Sequence, residues 1–294
     1  MTNAIGIISM QYRRPFAVEH FDQFARWKAA GYEFVELLVP DPGEMDCGLL
    51  RRALDDAGLF AIVTARVNKE RSVTADDADV RRRGSDYLLH CLDVAETLGA
   101  TIVGGPLYGS PLVFAGVAPH PVSEDLRLRR LAWCVEALSA LGAAAGKRGL
   151  RLAIEPLNRY ETDFVNTVRQ GVDLVERIDQ SSVGLTLDTF HMNMEEDDLC
   201  EAIGVAGRHL AHFQANENHR GYLGTGHLHW TSVVRALQAA DYRGAITLEP
   251  FRRRDDRIGV TFAQWRPPSR DEEAEYRASV AMIRALIALN GSRQ

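Results

Sequence analysis

Four oxygen-bearing side chains occupy the same place in a repeated sequence pattern. Each one ends a short apolar run: RLAIE ends at Glu155, GLTLD at Asp188, AHFQ at Gln214 and ITLE at Glu249. A single acid at a strand end is more often a helix N-cap, but four in succession favour a site. Three carboxylates gathered at one point repel one another unless a cation or protons neutralise them. The pattern therefore predicts one divalent metal ion, with these four side chains as its ligands.

Such a site needs elements that bring the four runs together. Short apolar, β-branched runs alternate with helical patterns along the 294 residues, and no G-x-G-x-x-G motif supports the alternative of a doubly wound nucleotide-binding sheet. Eight strand–helix units predict one (β/α)8 TIM-barrel domain over residues 1–294. The predicted strands are Ala4–Ser9, Tyr32–Leu37, Phe60–Arg66, Thr101–Gly104, Arg151–Glu155, Val183–Asp188, Leu210–Gln214 and Ala245–Glu249. The helices predicted between and after them include Phe21–Ala30, Asp86–Leu98, Leu126–Ala145, Val233–Ala240 and Glu272–Leu289.

Side-chain alternation in these strands has a second consequence. A period of two points the four ligands into the barrel together with the residues two positions earlier, which are Ala153, Thr186, His212 and Thr247. The bulky residues between them then face the helices. In this fold the carboxyl ends of the strands form the face that carries the active site, so we expect the ligands to converge there.

Composition excludes several other classes of protein. The net charge of −6 gives no basic surface for nucleic acid, because the arginine clusters 81–83 and 252–254 lie beside aspartates. Four widely spaced cysteines indicate free thiols in a reducing compartment. The chain shows neither a signal-peptide pattern nor a run of transmembrane length. We therefore expect a cytoplasmic enzyme that binds neither nucleic acid nor membranes.

The segments that follow the strand ends are similar to those of a known family. PLNRYETDFVNT follows Glu155, TFHMNMEED follows Asp188 and ANENHRGYLGTGHLHW follows Gln214. They resemble the ketose 3-epimerases, of the tagatose and psicose 3-epimerase type, in the xylose-isomerase-like barrel superfamily. The resemblance runs from about residue 151 through the late stretch IGVTFAQWRPPSRDEEAEYRASVAMIRAL. The first half resembles the family only in its strand–helix rhythm.

The resemblance implies roles for individual side chains. Glu155, Asp188 and Glu249 would bind the metal, and Glu155 and Glu249 would also serve as the catalytic acid–base pair. Hydrogen bonds to the hydroxyls and carbonyl of a small sugar substrate would come from Glu161, His191 and Arg220. The resemblance also implies a homo-oligomer, either a dimer or a tetramer.

One ligand departs from the family pattern. The 3-epimerases have a histidine where this chain has Gln214, and a glutamine there is more similar to the hydroxypyruvate-isomerase branch. His212 does not replace it, since it lies two residues earlier on the same face. An amide oxygen is a harder ligand than an imidazole nitrogen, so we expect Mn²⁺ or Mg²⁺, with Co²⁺ as a further candidate.

Several reactions remain open at such a site. Two opposed glutamates and an enediolate fit a ketose 3-epimerase, whereas Gln214 favours an aldose–ketose isomerase of the hydroxypyruvate type. A lyase acting on a 3-keto glycoside uses the same intermediate, and Arg66 and Asn68 after the third strand suggest a larger or more polar substrate. The loop 104–121, rich in Gly, Pro and aromatic residues, either forms a wall of the pocket or is an ordinary long loop. A metal-dependent sugar-binding module is the non-enzymatic alternative, although binding alone does not need two opposed glutamates. Four histidines receive no role: His209, His219, His227 and His229.

Overall fold

A computed structural model describes residues 3–11, 16–65, 67–109, 122–252, 264–267 and 269–291. Eight parallel strands follow one another in sequence order, and β1 pairs with β8 to close the barrel. This closure confirms the TIM barrel and excludes the open doubly wound sheet. The strands are β1 Ile5–Ile8, β2 Phe34–Leu38, β3 Phe60–Thr64, β4 Ile102–Gly105, β5 Arg151–Ile154, β6 Val183–Asp188, β7 Leu210–Ala215 and β8 Ile246–Leu248.

Helices surround the barrel in the order that the sequence predicts. They are α1 Asp22–Ala30, α2 Cys47–Ala57, α3 Ala78–Leu98, α4 Glu124–Lys147, α5 Val168–Ile178, α6 Thr189–Glu195, α7 Leu199–Ala206, α8 Trp230–Ala239 and α9 Glu272–Gly291. Helix α3 begins eight residues before the predicted start at Asp86. The side chain of Asp77 accepts hydrogen bonds from the backbone N–H groups of Asp79 and Val80, which is the N-cap that starts the helix there.

Alternation along the strands separates two layers of side chains, as predicted. The bulky residues between the ligands belong to the main core formed with the helices, among them Leu152, Leu187 and Phe213. The inward positions form a second layer. Four of them, together with Ala211 at the register shift between β6 and β7, make a small apolar cluster inside the barrel: Phe34, Ile62, Ile102, Ala153 and Ala211. These side chains fill the barrel interior beneath the carboxyl ends of the strands, so the open space lies above them.

The strand register sets the relative positions of the ligands. A register shift between Leu185 and Thr186 keeps Asp188 of β6 directly beside Gln214 of β7, and Gln214 pairs in turn with Thr247 of β8. His191 lies within the short helix α6. Arg66 and the segments 110–121 and 253–263 lie outside the described residues, so the predictions that concern them are not addressed by the structure.

None of the helices in the described parts of the chain is both long enough and apolar enough to cross a membrane.

Candidate active site

The four predicted ligands meet at the carboxyl face of the barrel. Glu155 directly follows β5, Asp188 ends β6, Gln214 is the penultimate residue of β7, and Glu249 directly follows β8. All four side chains are buried. Three of them border a cavity of about 510 Å³, as do the predicted substrate-binding residues Glu161, His191 and Arg220. His219, for which no role is predicted from the sequence, borders the same cavity.

Arg220 links two of the carboxylates. Its Nη1 donates to Asp188 Oδ2 at 3.0 Å and to Glu249 Oε2 at 2.7 Å. The guanidinium carbon lies 4.1 Å from the centre of the Phe190 ring and 4.9 Å from that of Phe251. These contacts hold a planar cation between the two acids, where it neutralises part of their charge.

The backbone of Arg220 is held as firmly as its side chain. Its φ of 57° lies in the left-handed region, which non-glycine residues seldom adopt. The carbonyl of Arg220 accepts from the backbone N–H of Phe251 at 2.8 Å and from Arg252 Nη1 at 2.9 Å. This clamp from the end of β8 fixes an unusual backbone conformation that aims the guanidinium into the cavity.

A residue that the sequence reasoning missed joins the same two acids. Asn216 Nδ2 donates to Asp188 Oδ1 at 2.7 Å and to Glu249 Oε2 at 2.8 Å. Its backbone is fixed by the hydroxyl of Thr189, which accepts from the Asn216 N–H at 2.8 Å and donates to the Asn216 carbonyl at 2.7 Å. Its position two residues beyond Gln214, just after β7, was the available signal in the sequence.

His191 lies close to the carboxylates of Glu155 and Asp188. Its Nε2 is 3.5 Å from Glu155 Oε1 and 3.4 Å from Asp188 Oδ2. The backbone N–H of Asn158 donates to His191 Nδ1 at 3.1 Å. Because Nδ1 accepts this bond, the neutral ring carries its proton on Nε2, so Arg220 Nη2, which lies 3.2 Å from Nε2, is a close neighbour and not a hydrogen-bond donor to the ring. Burial lowers the pKa of His191, which favours this neutral form.

Gln214 is oriented by a carboxylate from the opposite side of the barrel. Its Nε2 donates to Glu36 Oε1 at 2.8 Å. Its Oε1 is buried and has no hydrogen-bond partner among the residues that the structure describes. His212, one layer deeper as predicted, places Nε2 2.9 Å from Glu36 Oε2. Glu36 was also missed, although a lone acid in the apolar strand FVELL was a visible signal.

Burial and mutual repulsion change the proton affinities of the two glutamates. Burial raises the pKa of Glu155 well above its usual range, and the charges of Asp188 and Glu249 raise it further. Burial also raises the pKa of Glu249 to about 8, although Arg220 opposes that rise. Burial lowers the pKa of Arg220, but the surrounding carboxylates, chiefly Glu249 and Asp188, together outweigh it and raise the pKa. Glu249 is therefore able to hold or release a proton near neutral pH, and Glu155 holds its proton more firmly than an ordinary glutamate does.

The same residues fit a divalent cation. Glu155, Asp188 and His191 each place one potential ligand atom within 4.8 Å of the others. Gln214 adds a buried amide oxygen without a partner in the described part of the chain. Buried carboxylates with an amide oxygen form the kind of hard oxygen donor set that Mg²⁺ and Mn²⁺ prefer. A cation bound there would also relieve the repulsion that raises the pKa of Glu155 and Glu249.

The opposite wall of the cavity is mostly apolar, with Thr64 as its polar member. The first half of the barrel contributes to it Met10, Leu38, Ala65, Val67 and Pro106. Pro106 belongs to the described part of the loop 104–121 and borders the cavity. Asn68, for which a contact with the substrate is predicted from the sequence, does not border it. Two strongly exposed aromatic side chains, Tyr160 and Trp265, also border the cavity. The cavity thus has one wall with polar, ionisable groups and one wall of mainly apolar side chains, which limits the shape of the substrate.

Comparisons with known proteins agree with this geometry. The sequence model of the xylose isomerase-like TIM barrel family matches residues 24–286. An L-ribulose 3-epimerase from Methylomonas sp. (strain DH-1) is 32% identical over 239 residues, which cover 81% of each chain. A D-psicose 3-epimerase from Agrobacterium fabrum (strain C58) is 30% identical over 240 residues, or 80% of this chain and 81% of that protein. A solved L-ribulose 3-epimerase superimposes with a TM-score of 0.89 at 28% identity, covering 99% of this chain and 97% of the other.

These matches show that the chain belongs to the xylose isomerase-like TIM barrel family, in which its relatives are ketose 3-epimerases. It is an enzyme of the isomerase class, and its cluster of potential metal ligands fits a metal-dependent epimerase. The family resemblance that the second half of the sequence indicated is confirmed. It also extends over the first half, where the sequence showed only the rhythm of strands and helices.

Proposed function

We propose that this chain is a ketose 3-epimerase that uses a divalent metal ion, Mn²⁺ or Mg²⁺ in preference to Co²⁺, and acts on a small keto sugar. The observation that carries the proposal is the pair of buried glutamates with raised pKa values, Glu155 and Glu249. Strands β5 and β8 are three positions apart around the eight-stranded barrel, so the two carboxylates reach the cavity from different sides.

The ligand set follows from the arrangement of oxygen atoms. Glu155, Asp188 and Glu249 would supply carboxylate oxygens, and Gln214 would supply the amide oxygen that has no partner in the described structure. A divalent cation held there withdraws electron density from the substrate carbonyl and so makes the adjacent C–H group more acidic.

Proton transfer at C3 is the task of the two glutamates. One carboxylate removes the C3 proton, and the electron pair of that C–H bond is delocalised toward the carbonyl. The other glutamate, in its protonated form, returns a proton to the opposite face of C3, which inverts the centre. A pKa of about 8 for Glu249 lets it act in either form near neutral pH. The two roles exchange when the reaction runs in reverse.

Three further side chains would hold the substrate. The Nε2–H of His191 points toward the carboxylates and is available to donate to a substrate oxygen near them. Arg220 borders the cavity with a charged fork suited to hydroxyl and carbonyl oxygens. Glu161 accepts from Asn158 Nδ2 at 2.9 Å and borders the cavity, where it would accept from a sugar hydroxyl.

Solvent deuterium exchange tests this function directly. The enzyme is incubated with L-ribulose or D-psicose in heavy water with Mn²⁺ or Mg²⁺, and the position of the label is read by NMR. We expect label at C3 with inversion of that centre. Label at C1 without exchange at C3 would instead support an aldose–ketose isomerase, the second candidate, which Gln214 favours. Exchange at neither position would exclude both functions for these substrates.

A lyase acting on a 3-keto glycoside is distinguished by its product, because it releases an aglycone that chromatography detects. The free cysteines Cys47, Cys91, Cys134 and Cys200 fit a reducing compartment, so we propose a cytoplasmic enzyme. From the resemblance to the 3-epimerases we also propose a homo-oligomer, either a dimer or a tetramer. Size-exclusion chromatography with light scattering tests the oligomer.

A further inference from the structure

Glu36 is fully buried in β2, three strands away from β7 across the closed barrel. Its two carboxylate oxygens have separate partners. Oε1 accepts from Gln214 Nε2 at 2.8 Å, and Oε2 lies 2.9 Å from His212 Nε2. A buried carboxylate with a partner on each oxygen is a firmly held hydrogen-bond acceptor.

This contact determines which way the Gln214 amide points. An ionised carboxylate can only accept hydrogen bonds, so it pairs with the NH₂ end of an amide and repels the oxygen end. Rotation of the amide by half a turn would place Gln214 Oε1 against Glu36 Oε1 and put the NH₂ group where Oε1 now lies. The orientation observed instead leaves Gln214 Oε1 free of partners among the described residues, on a side chain that borders the cavity.

The hydrogen bond has an electronic effect as well. A negative acceptor on the NH₂ group shifts electron density toward the amide oxygen and makes it a better ligand. Hydrogen-bond partners of metal ligands act in this way in other metal sites, where their removal typically costs about 10- to 100-fold in metal affinity.

We propose that Glu36 is a positioning residue that fixes the Gln214 amide with its oxygen toward the metal site and so makes a neutral glutamine an effective ligand. The proposal rests on the metal-ligand role proposed for Gln214. Strand β2 borders the cavity through the apolar Leu38. Through Glu36, the same strand would also take an indirect part in metal binding.

A double-mutant cycle on Mn²⁺ affinity tests the proposal. Calorimetry measures the Kd of Mn²⁺ for the wild type, Glu36→Gln, Gln214→Ala and the double variant. A glutamine at position 36 keeps the shape of the side chain but presents an amide that pairs with Gln214 in either orientation. We expect Glu36→Gln to weaken Mn²⁺ binding about tenfold when Gln214 is present and to have almost no effect when position 214 is alanine.

Equal weakening in both backgrounds would overturn the proposal, because Glu36 would then act on the site without Gln214. Unchanged Mn²⁺ affinity in Glu36→Gln or in Gln214→Ala would overturn the proposal as well.

Thr247→Val is the matched control. The Thr247 hydroxyl lies 3.1 Å from His212 Nε2 in the same buried layer. Thr247 is the neighbour of Gln214 in the strand register, but none of the described hydrogen bonds joins their side chains. We expect this variant to bind Mn²⁺ like the wild type.

A second measurement on the wild type does not depend on how the variants fold. In protein labelled with ¹⁵N-glutamine, the Gln214 Nε2 protons should exchange slowly with water, and they should stay protected when diamagnetic Mg²⁺ is added. Fast exchange of these protons would contradict the contact with Glu36. Both experiments measure the ligand and not the reaction. Loss of C3 deuterium exchange with normal Mn²⁺ binding would therefore refute the proposed function and leave the role of Glu36 intact.

Discussion

The carboxyl ends of β5–β8 and of β1–β4 border one cavity but contribute different chemistry. Strands β5–β8 and the segments after them supply three carboxylates, an amide, a histidine and an arginine around the proposed metal position, and most of these groups are held by hydrogen bonds or aromatic contacts. Strands β1–β4 and the segments after them supply mainly apolar side chains such as Leu38, Val67 and Pro106. An enzyme divided in this way is able to keep its proton chemistry on one wall while the other wall changes to fit a different substrate.

The division is incomplete at one point. Glu36 belongs to β2, yet it contacts Gln214 and His212 of β7 from inside the barrel. The first half thus supplies an acid to the polar half from the layer beneath the cavity, while the side chains at its strand ends that border the cavity are apolar except for Thr64.

The largest effect is expected from the two glutamates of the polar wall. Glu155→Gln or Glu249→Gln removes a group that exchanges protons with C3, so we expect kcat to fall by roughly 100- to 10,000-fold. Deuterium exchange at C3 should fall in parallel, as measured by NMR. The exposed Glu176→Gln serves as the control and should leave both rates unchanged. Wild-type rates in either active-site variant would show that this residue is not part of the acid–base pair.

The next effect concerns the stability of the metal-free protein. Because the pKa of Glu249 is raised to about 8 in the folded state, the folded state binds more protons than the unfolded one between about pH 4.5 and 8. The stability that this provides is fully present below about pH 4.5 and is lost as the pH rises through 8. We therefore expect the free energy of unfolding to decrease, on the order of a few kcal/mol, across this range.

Urea denaturation in the presence of a chelator, at several pH values between 5.5 and 8.5, measures this slope. Glu249→Gln should flatten it, and added Mn²⁺ should oppose it because the cation binds the deprotonated carboxylates. Stability that rises with pH in the metal-free protein, or an identical slope in Glu249→Gln, would contradict the expectation.

The smallest effect is expected from the apolar wall. Val67→Ala removes two methyl groups from the cavity lining, so we expect the KM for a ketose to change by about tenfold or less. The kcat value and the Mn²⁺ affinity should remain close to those of the wild type. Val94→Ala, a buried residue in helix α3 that does not border the cavity, is the matched control for loss of packing. A large loss of Mn²⁺ affinity in Val67→Ala would contradict the expectation that metal binding depends on the polar wall and not on the apolar wall.

Most of the polar wall was predictable because each residue lies within or directly after a strand with a regular pattern. Glu155, Asp188, Gln214 and Glu249 could be placed on one face by counting alternate positions, and the barrel followed from the number of strand–helix units. Helix α3 was predicted too short, because its N-cap Asp77 is followed by a polar first half without clear periodicity.

The residues that join the site from elsewhere were not predictable in the same way. Asn216 bridges Asp188 and Glu249 only because the β6–β7 register and Thr189 place it there. Arg252 supports Arg220 through a backbone carbonyl in an unusual left-handed conformation. Neither contact leaves a periodic trace in the sequence.

The sequence by itself determined the barrel, the face that carries the site and the types of ligand, because these depend on local periodicity and on residues at strand ends. The tertiary structure alone decided how the ligands are oriented. Gln214 and Glu36 are 178 positions apart in the chain, and they meet only because closure of the barrel brings β2 and β7 to opposite sides of one narrow interior. The direction of an amide is set by such a contact across space, and no pattern of neighbouring residues records it.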